Sequence, residues 1–78
     1  MEVYFFGAGW CRACEPIKKR VTDICLKKGL EMTYFDLEID TGPFEDHLIS
    51  KLPTVLILSN GIPYKSIETF DRLEDELT

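Results

Sequence analysis

Histidine, tryptophan and cysteine are scarce in this chain, at one, one and three among 78 residues. An odd cysteine count does not match the paired framework of a small secreted disulfide scaffold. A closed zinc site takes four ligands, and beyond Cys11 and Cys14 only Cys25 and His47 remain. Cys25 falls three helical turns beyond Cys14, about 16 Å along the axis at ~1.5 Å per residue, so the two cannot share a metal without breaking the helix read below. No apolar run approaches the ~18 residues of a membrane span. No basic leader or cleavage pattern precedes the first apolar run. There is no internal repeat, linker or low-complexity stretch. Basic residues are outnumbered 14 to 9, a net charge of −5, which disfavours a nucleic-acid partner. Hydrophobic residues at 45% are ample for a small core. The expectation is one domain over residues 1–78, monomeric, off the membrane and in the cytoplasm, where thiols are kept reduced.

The charge is unevenly spread. Residues 1–30 carry six basic and three acidic side chains, a net +3, and residues 31–78 carry three basic and eleven acidic, a net −8. A solvated helix face accounts for this, as does steering of an acidic partner segment.

The stretch that organises the chain is Gly9-Trp10-Cys11-Arg12-Ala13-Cys14. The apolar run Val3-Tyr4-Phe5-Phe6 leads in, and a helical pattern from Ile17 to Lys28 leads out. A helix N-terminus carries partial positive charge and unpaired N–H groups, which favour a thiolate. A thiolate is the nucleophile of disulfide exchange, and two thiols three residues apart can close on each other. The residues therefore read as a dithiol–disulfide site. Half of a zinc site and a static structural disulfide are the other readings of such a pair.

Glu2 to Phe6 reads as a strand buried on both faces. Cys14, Ile17, Val21, Ile24 and Cys25 form one apolar helical stripe, with Pro16 in the first turn and Gly29 as the stop. Cys25 on that stripe is a small core residue. Glu31 to Leu37 reads as a second strand, parallel to the first through a right-handed crossover. Thr41-Gly42-Pro43 turns the chain, and Pro43 to Ile49 reads as a short helix covering the sheet with Phe44, Leu48 and Ile49. His47 there is expected to be exposed and without a role. Leu52 to Leu58 is the most apolar strand, and Pro53 at its opening fits either a plain strand start or a cis peptide. Asn60-Gly61 marks a hairpin to an edge strand, Ile62 to Glu68. Phe70, Leu73 and Leu77 are spaced for one face of a closing helix.

In their order along the chain, Trp10-Cys11-x-x-Cys14, Leu37-Glu38-Ile39-Asp40, Leu52-Pro53-Thr54 and Asn60-Gly61 resemble the thioredoxin family across nearly the whole sequence. The resemblance implies an α/β fold, a minimal thioredoxin fold with a four-stranded mixed sheet in order 2-1-3-4 and helices on both faces. It also implies a cis proline at Pro53 beside the active-site sulfurs. The chain lacks the family's first strand and helix and looks cut to the glutaredoxin-sized core. Arg12-Ala13 stands where thioredoxins carry Gly-Pro, and Phe5 stands where they carry a buried aspartate. No Gly-Gly precedes the last helix, where glutaredoxins hold glutathione. Such hybrids are similar to phage-encoded redoxins and to small redoxins that reduce ribonucleotide reductase.

The resemblance implies a thiol–disulfide oxidoreductase that reduces protein disulfides, with no bound cofactor and no metal. Cys11, ahead of the helix, attacks; Arg12 and the helix terminus stabilise its charge. Cys14 resolves the mixed disulfide. Trp10, Leu52, Pro53 and Thr54 form the collar where a partner strand docks. With Phe5 in place of an acid, Asp36 is the candidate proton acceptor for Cys14. A reductase or glutathione is the expected electron source. A glutathione-dependent glutaredoxin and a non-catalytic binding subunit remain as rival readings.

Overall fold

The computed structural model describes residues 1–77. Strand β1 (Glu2–Gly7) leads to helix α1 (Cys14–Lys28), strand β2 (Glu31–Asp36), helix α2 (Thr41–Asp46), strands β3 (Thr54–Ser59) and β4 (Ile62–Ile67), and the single turn of helix α3 (Leu73–Glu76). The sheet order is β2-β1-β3-β4. β1 pairs parallel with β2 and antiparallel with β3, and β4 pairs antiparallel on the outer edge. The mixed sheet in order 2-1-3-4 is thus the observed one.

β1 sits centrally, so its side chains feed both faces. Val3 and Phe5 point into a core with Val55, Ile57 and Ile67, closed by Val21, Ile24 and Cys25 of α1 and by Leu73 and Leu77. Phe6 points the other way, into a smaller core with Phe44, Leu56 and Leu58. Helices therefore cover both faces: α1 and α3 one, α2 the other. Cys25, buried among apolar side chains, is the free cysteine of the fold. α1 ends at Gly29, which takes the left-handed conformation (φ 68°) that a β-carbon would penalise. At the hairpin Asn60 and Gly61 both have positive φ, 53° and 79°, as the tightest β-turns require. The Gly61 N–H donates to Glu2 Oε1, tying the turn back to β1.

Several boundaries differ from the sequence reading. Thr41 and Gly42 already belong to α2, and the helix ends at Asp46, short of Ile49. Leu48 does not cover the sheet; it is 88% exposed, with a positive φ of 54° that throws its side chain outward. His47 is not exposed but half-buried, its ring edge-on to Tyr4 and Phe6 at 5.9 and 6.0 Å. β4 slips register opposite Ile57 and Leu58, at Pro63, which has no N–H to give the ladder. α3 is far shorter than the Phe70-to-Leu77 spacing predicts. Arg20 donates to the Phe70 carbonyl, and Lys28 donates to the Glu74 carbonyl at 3.0 Å. These two bonds from α1 brace a segment too short to hold its own helix.

Candidate functional site

β1 ends at Gly7, and the chain crosses the sheet edge through Ala8 and Gly9 to reach α1. Two backbone bonds shape the crossing: Cys11 N–H donates to Ala8 O at 3.1 Å, and Cys14 N–H donates to Cys11 O at 3.2 Å. Cys11 thereby sits just ahead of the helix and Cys14 opens it. The two cysteines are bonded to each other as a disulfide, with their Cα atoms 5.4 Å apart. Their surroundings are unequal. Cys11 is partly open to solvent, whereas Cys14 is only 3% exposed. Ala13 at the N-cap makes no side-chain capping bond. Apart from the Cys14 N–H, the N–H groups of the first turn of α1 have no side-chain cap and carry partial positive charge at the helix end that Cys11 precedes.

Trp10 precedes the pair and is 64% exposed. It forms one wall of a groove of about 340 Å³ that also takes in Cys11, Leu37, Phe44, Ile49 and Leu52. Of the residues expected to form a docking collar, the groove thus brings Trp10 and Leu52 to the sulfur. Arg12 is exposed and stands off this wall. Pro53 and Thr54, next in the chain after Leu52, are buried and do not line the groove. The Leu52–Pro53 peptide is cis. The Thr54 hydroxyl donates to the Lys51 carbonyl, closing the loop that presents Leu52. Leu37, Phe44 and Ile49 are groove residues that the sequence pattern assigned to packing alone.

A second, smaller cavity of about 40 Å³ lies on the β2 side of the pair, walled by Cys11, Cys14, Glu15, Lys18 and Tyr34 over Ala8 and Gly9. Asp36 is not on its wall. It is half-buried at the end of β2, where Oδ2 accepts from the Tyr34 hydroxyl at 3.3 Å and Oδ1 accepts from the Glu38 N–H at 2.9 Å. Burial pushes the Tyr34 phenol above its ordinary value, and the Asp36 carboxylate adds to the shift. Tyr34 therefore stays a neutral donor to Asp36. The helical pattern sets Lys18 off the apolar stripe of Cys14, Ile17, Val21, Ile24 and Cys25 and gives it no place at the site, and it gives Tyr34 none either. The signal for Lys18 was present, because it follows Cys14 by four residues and shares its helix face. Tyr34 reaches the site through the β1–β2 pairing, which no local pattern displays. Among the described residues, no three His, Cys, Asp or Glu side chains stand close enough to hold a metal ion. No helix among them is long and apolar enough to cross a membrane.

No family model matches the sequence. A thioredoxin of Mycolicibacterium smegmatis is 29% identical over 66 residues, covering 80% of this chain and 59% of that protein. The chain thus spans little more than half the length of the curated relative it matches. Among solved structures, thioredoxin 1 of Thermosipho africanus superposes with a TM-score of 0.88 at 17% identity, over 99% of this chain and 86% of that one. A reduced thioredoxin pre-protein of Schistosoma mansoni gives 0.86 at 22% identity, over 96% and 73%. A thioredoxin of Trypanosoma brucei brucei gives 0.85 at 20%, over 97% and 70%. These likenesses establish the fold, and the sequence relative points to the same group. The chain is thioredoxin-like, with the thioredoxin fold and a Cys-x-x-Cys pair at the head of its first helix.

Proposed function

We propose that this protein is a thiol–disulfide oxidoreductase that reduces protein disulfides through Cys11 and Cys14. The observation that carries the reading is the inequality of the two sulfurs, one reachable ahead of α1 and one covered by it. Cys11 as thiolate, favoured by the α1 terminus and by Arg12, attacks a partner disulfide and forms a mixed disulfide. Cys14 gives up its proton, with Asp36 as the proposed acceptor, and attacks Cys11 to release the reduced partner. The partner segment lies in the groove against Trp10 and Leu52, with its backbone paired to Leu52 ahead of Pro53. No bound cofactor takes part. A reductase or glutathione returns the electrons, and the cytoplasm is the compartment that keeps the pair reduced.

The test is a pair of variants offered to a disulfide protein such as insulin. Cys14→Ser keeps the attack and loses the release, so a covalent adduct through Cys11 accumulates. Cys11→Ser forms none. Equal trapping by both variants, or by neither, removes the assignment. Offered to extract of its own host, Cys14→Ser separates the finer readings. A ribonucleotide reductase tail among the adducts supports the electron-donor role, while glutathione as the dominant adduct favours a glutaredoxin.

A further inference from the structure

The covered Cys14 and the cationic Lys18 line the same small cavity. Lys18 stands one helical turn after Cys14, and side chains so spaced are neighbours, with Cβ atoms about 5–6 Å apart. Lys18 is half-buried, and its Nζ lies 3.8 Å from the centroid of the Tyr34 ring. Such a seat holds a long side chain that would otherwise swing in solvent. The ring is itself held. It stacks on Phe5 at 5.8 Å between centroids, and its hydroxyl is bonded to Asp36. A β-carbon placed on Gly7 would meet both the Tyr34 ring edge and Cys14 Sγ at 3.3 Å, so ring and sulfur are close neighbours. Lys18, Tyr34 and Cys14 then share the wall of the small cavity.

We propose that Lys18, seated on Tyr34, is the charge that favours loss of the Cys14 proton in the resolving half of the exchange. The proposal rests on the dithiol reading above. Before the step, Cys11 Sγ is bonded to the partner's sulfur and Cys14 is a thiol. The thiol proton passes to Asp36 or to water, and the Cys14 thiolate attacks Cys11 Sγ. The bond from Cys11 to the partner breaks, and the partner leaves as a thiolate that takes a proton from solvent. The protein's two thiols are oxidised to one disulfide, and the partner's disulfide is reduced to two thiols. Lys18 exchanges nothing; its ammonium stabilises the thiolate relative to the thiol.

Other groups work against the thiolate. Burial of Cys14 disfavours charge. Glu15 lines the cavity from α1. From the β2 side come the neutral Tyr34 phenol, the Asp36 carboxylate behind it, and Glu38, whose Oε1 stands 3.2 Å from a β-carbon placed on Gly9. Lys18 is the cation on this wall, so its removal leaves burial and carboxylates unopposed.

The reduced protein, mixed in a stopped-flow instrument with excess nitrobenzoate disulfide, releases coloured thiolate twice. The first release follows attack by Cys11 and the second follows resolution by Cys14; Cys14→Ser yields only the first. Lys18→Met is expected to raise the pH midpoint of the second phase by about one unit and to slow it roughly tenfold at neutral pH, with the first phase changed less than twofold. Lys18→Arg restores the native profile. Lys19→Met, on the exposed side of the same helix, leaves both phases alone. A Lys18→Met protein with native melting and an unmoved second-phase midpoint overturns the proposal and leaves the dithiol reading standing. So does an equal shift of both phases. If the native protein shows no second phase at all, the dithiol reading itself fails.

Discussion

Gly7 is the place where one added methyl group tests the packing around the sulfurs. It is buried at the end of β1, and its φ is not positive, so alanine meets no backbone objection there. The β-carbon would stand 3.0 Å from Phe5 Cε1 and 3.3 Å from both Cys14 Sγ and Tyr34 Cε1. Favourable contacts between carbons lie at about 3.5–4.0 Å, so all three neighbours must yield. None is free to do so. Phe5 is fully buried and stacked on Tyr34, Tyr34 is tied to Asp36, and Cys14 is bonded to Cys11. Overpacking of this kind costs ~1–3 kcal/mol. Alanine recovers about 0.5–1 kcal/mol of backbone entropy in a strand. The net loss is ~1 kcal/mol, a fall in Tm of roughly 4–8 °C for a domain of this size. Gly9→Ala is the matched control. Its β-carbon would meet Glu38 Oε1 at 3.2 Å, the end of an exposed side chain that can swing away, and the expected change is within about 0.5 kcal/mol. Thermal melts of both variants, oxidised and reduced, decide the matter. In the reduced protein the Cys14 sulfur is released, so the Gly7→Ala penalty shrinks. The reasoning is wrong if Gly7→Ala melts at or above the native temperature, or if Gly9→Ala falls as far.

Burial pushes the Cys25 thiol above its ordinary value of 9.0. A raised folded value means that this contribution to stability is intact below pH 9 and is lost as pH climbs through the folded value. Urea midpoints of native protein and Cys25→Ala should therefore converge above about pH 9; parallel curves would refute the account. At α3, Leu73→Ala empties a fully buried position and should cost about 2–5 kcal/mol. Lys65→Ala breaks a 2.7 Å pair with Glu76 whose side chains are 43% and 34% exposed, and should cost no more than ~1 kcal/mol. Denaturant midpoints in the reverse order would mean that charge rather than burial holds the segment.

The parts of the fold legible in the sequence are those whose cause is local. The apolar stripe of α1 follows from helical spacing, its stop from Gly29, and the hairpin from Asn60-Gly61, the one place among the described residues with two positive φ values in succession. The misread parts depend on what lies across space. Leu48 is apolar and falls at a plausible helical spacing from Phe44, yet α2 ends two residues before it and leaves it to solvent. His47 sits in a polar stretch, but its ring finds Tyr4 and Phe6 because β1 passes beneath it. α3 has the right apolar residues and too few hydrogen bonds of its own, so the backbone carbonyls of Glu74 and of Phe70 just before it are held by side chains of α1 instead.

The site divides in the same way. Trp10, Cys11 and Cys14 are contiguous and were legible as a motif, while the surroundings that bias the two sulfurs are assembled by register. Phe5 pairs with Tyr34 across the parallel β1–β2 ladder, and paired residues share a face of the sheet. An apolar ring at position 5 therefore does more than displace an acid from β1. It gives Tyr34 a surface to stack on, and the stacked ring then offers its face to Lys18 and its hydroxyl to Asp36. The polar groups that share the small cavity with the covered sulfur come from the neighbouring strand and from α1, rather than from the strand that leads into the motif. Phe5→Asp restores the acid, but it also removes the stacking surface from under Tyr34. Placing a carboxylate at position 5 and keeping Lys18 seated are therefore structurally opposed.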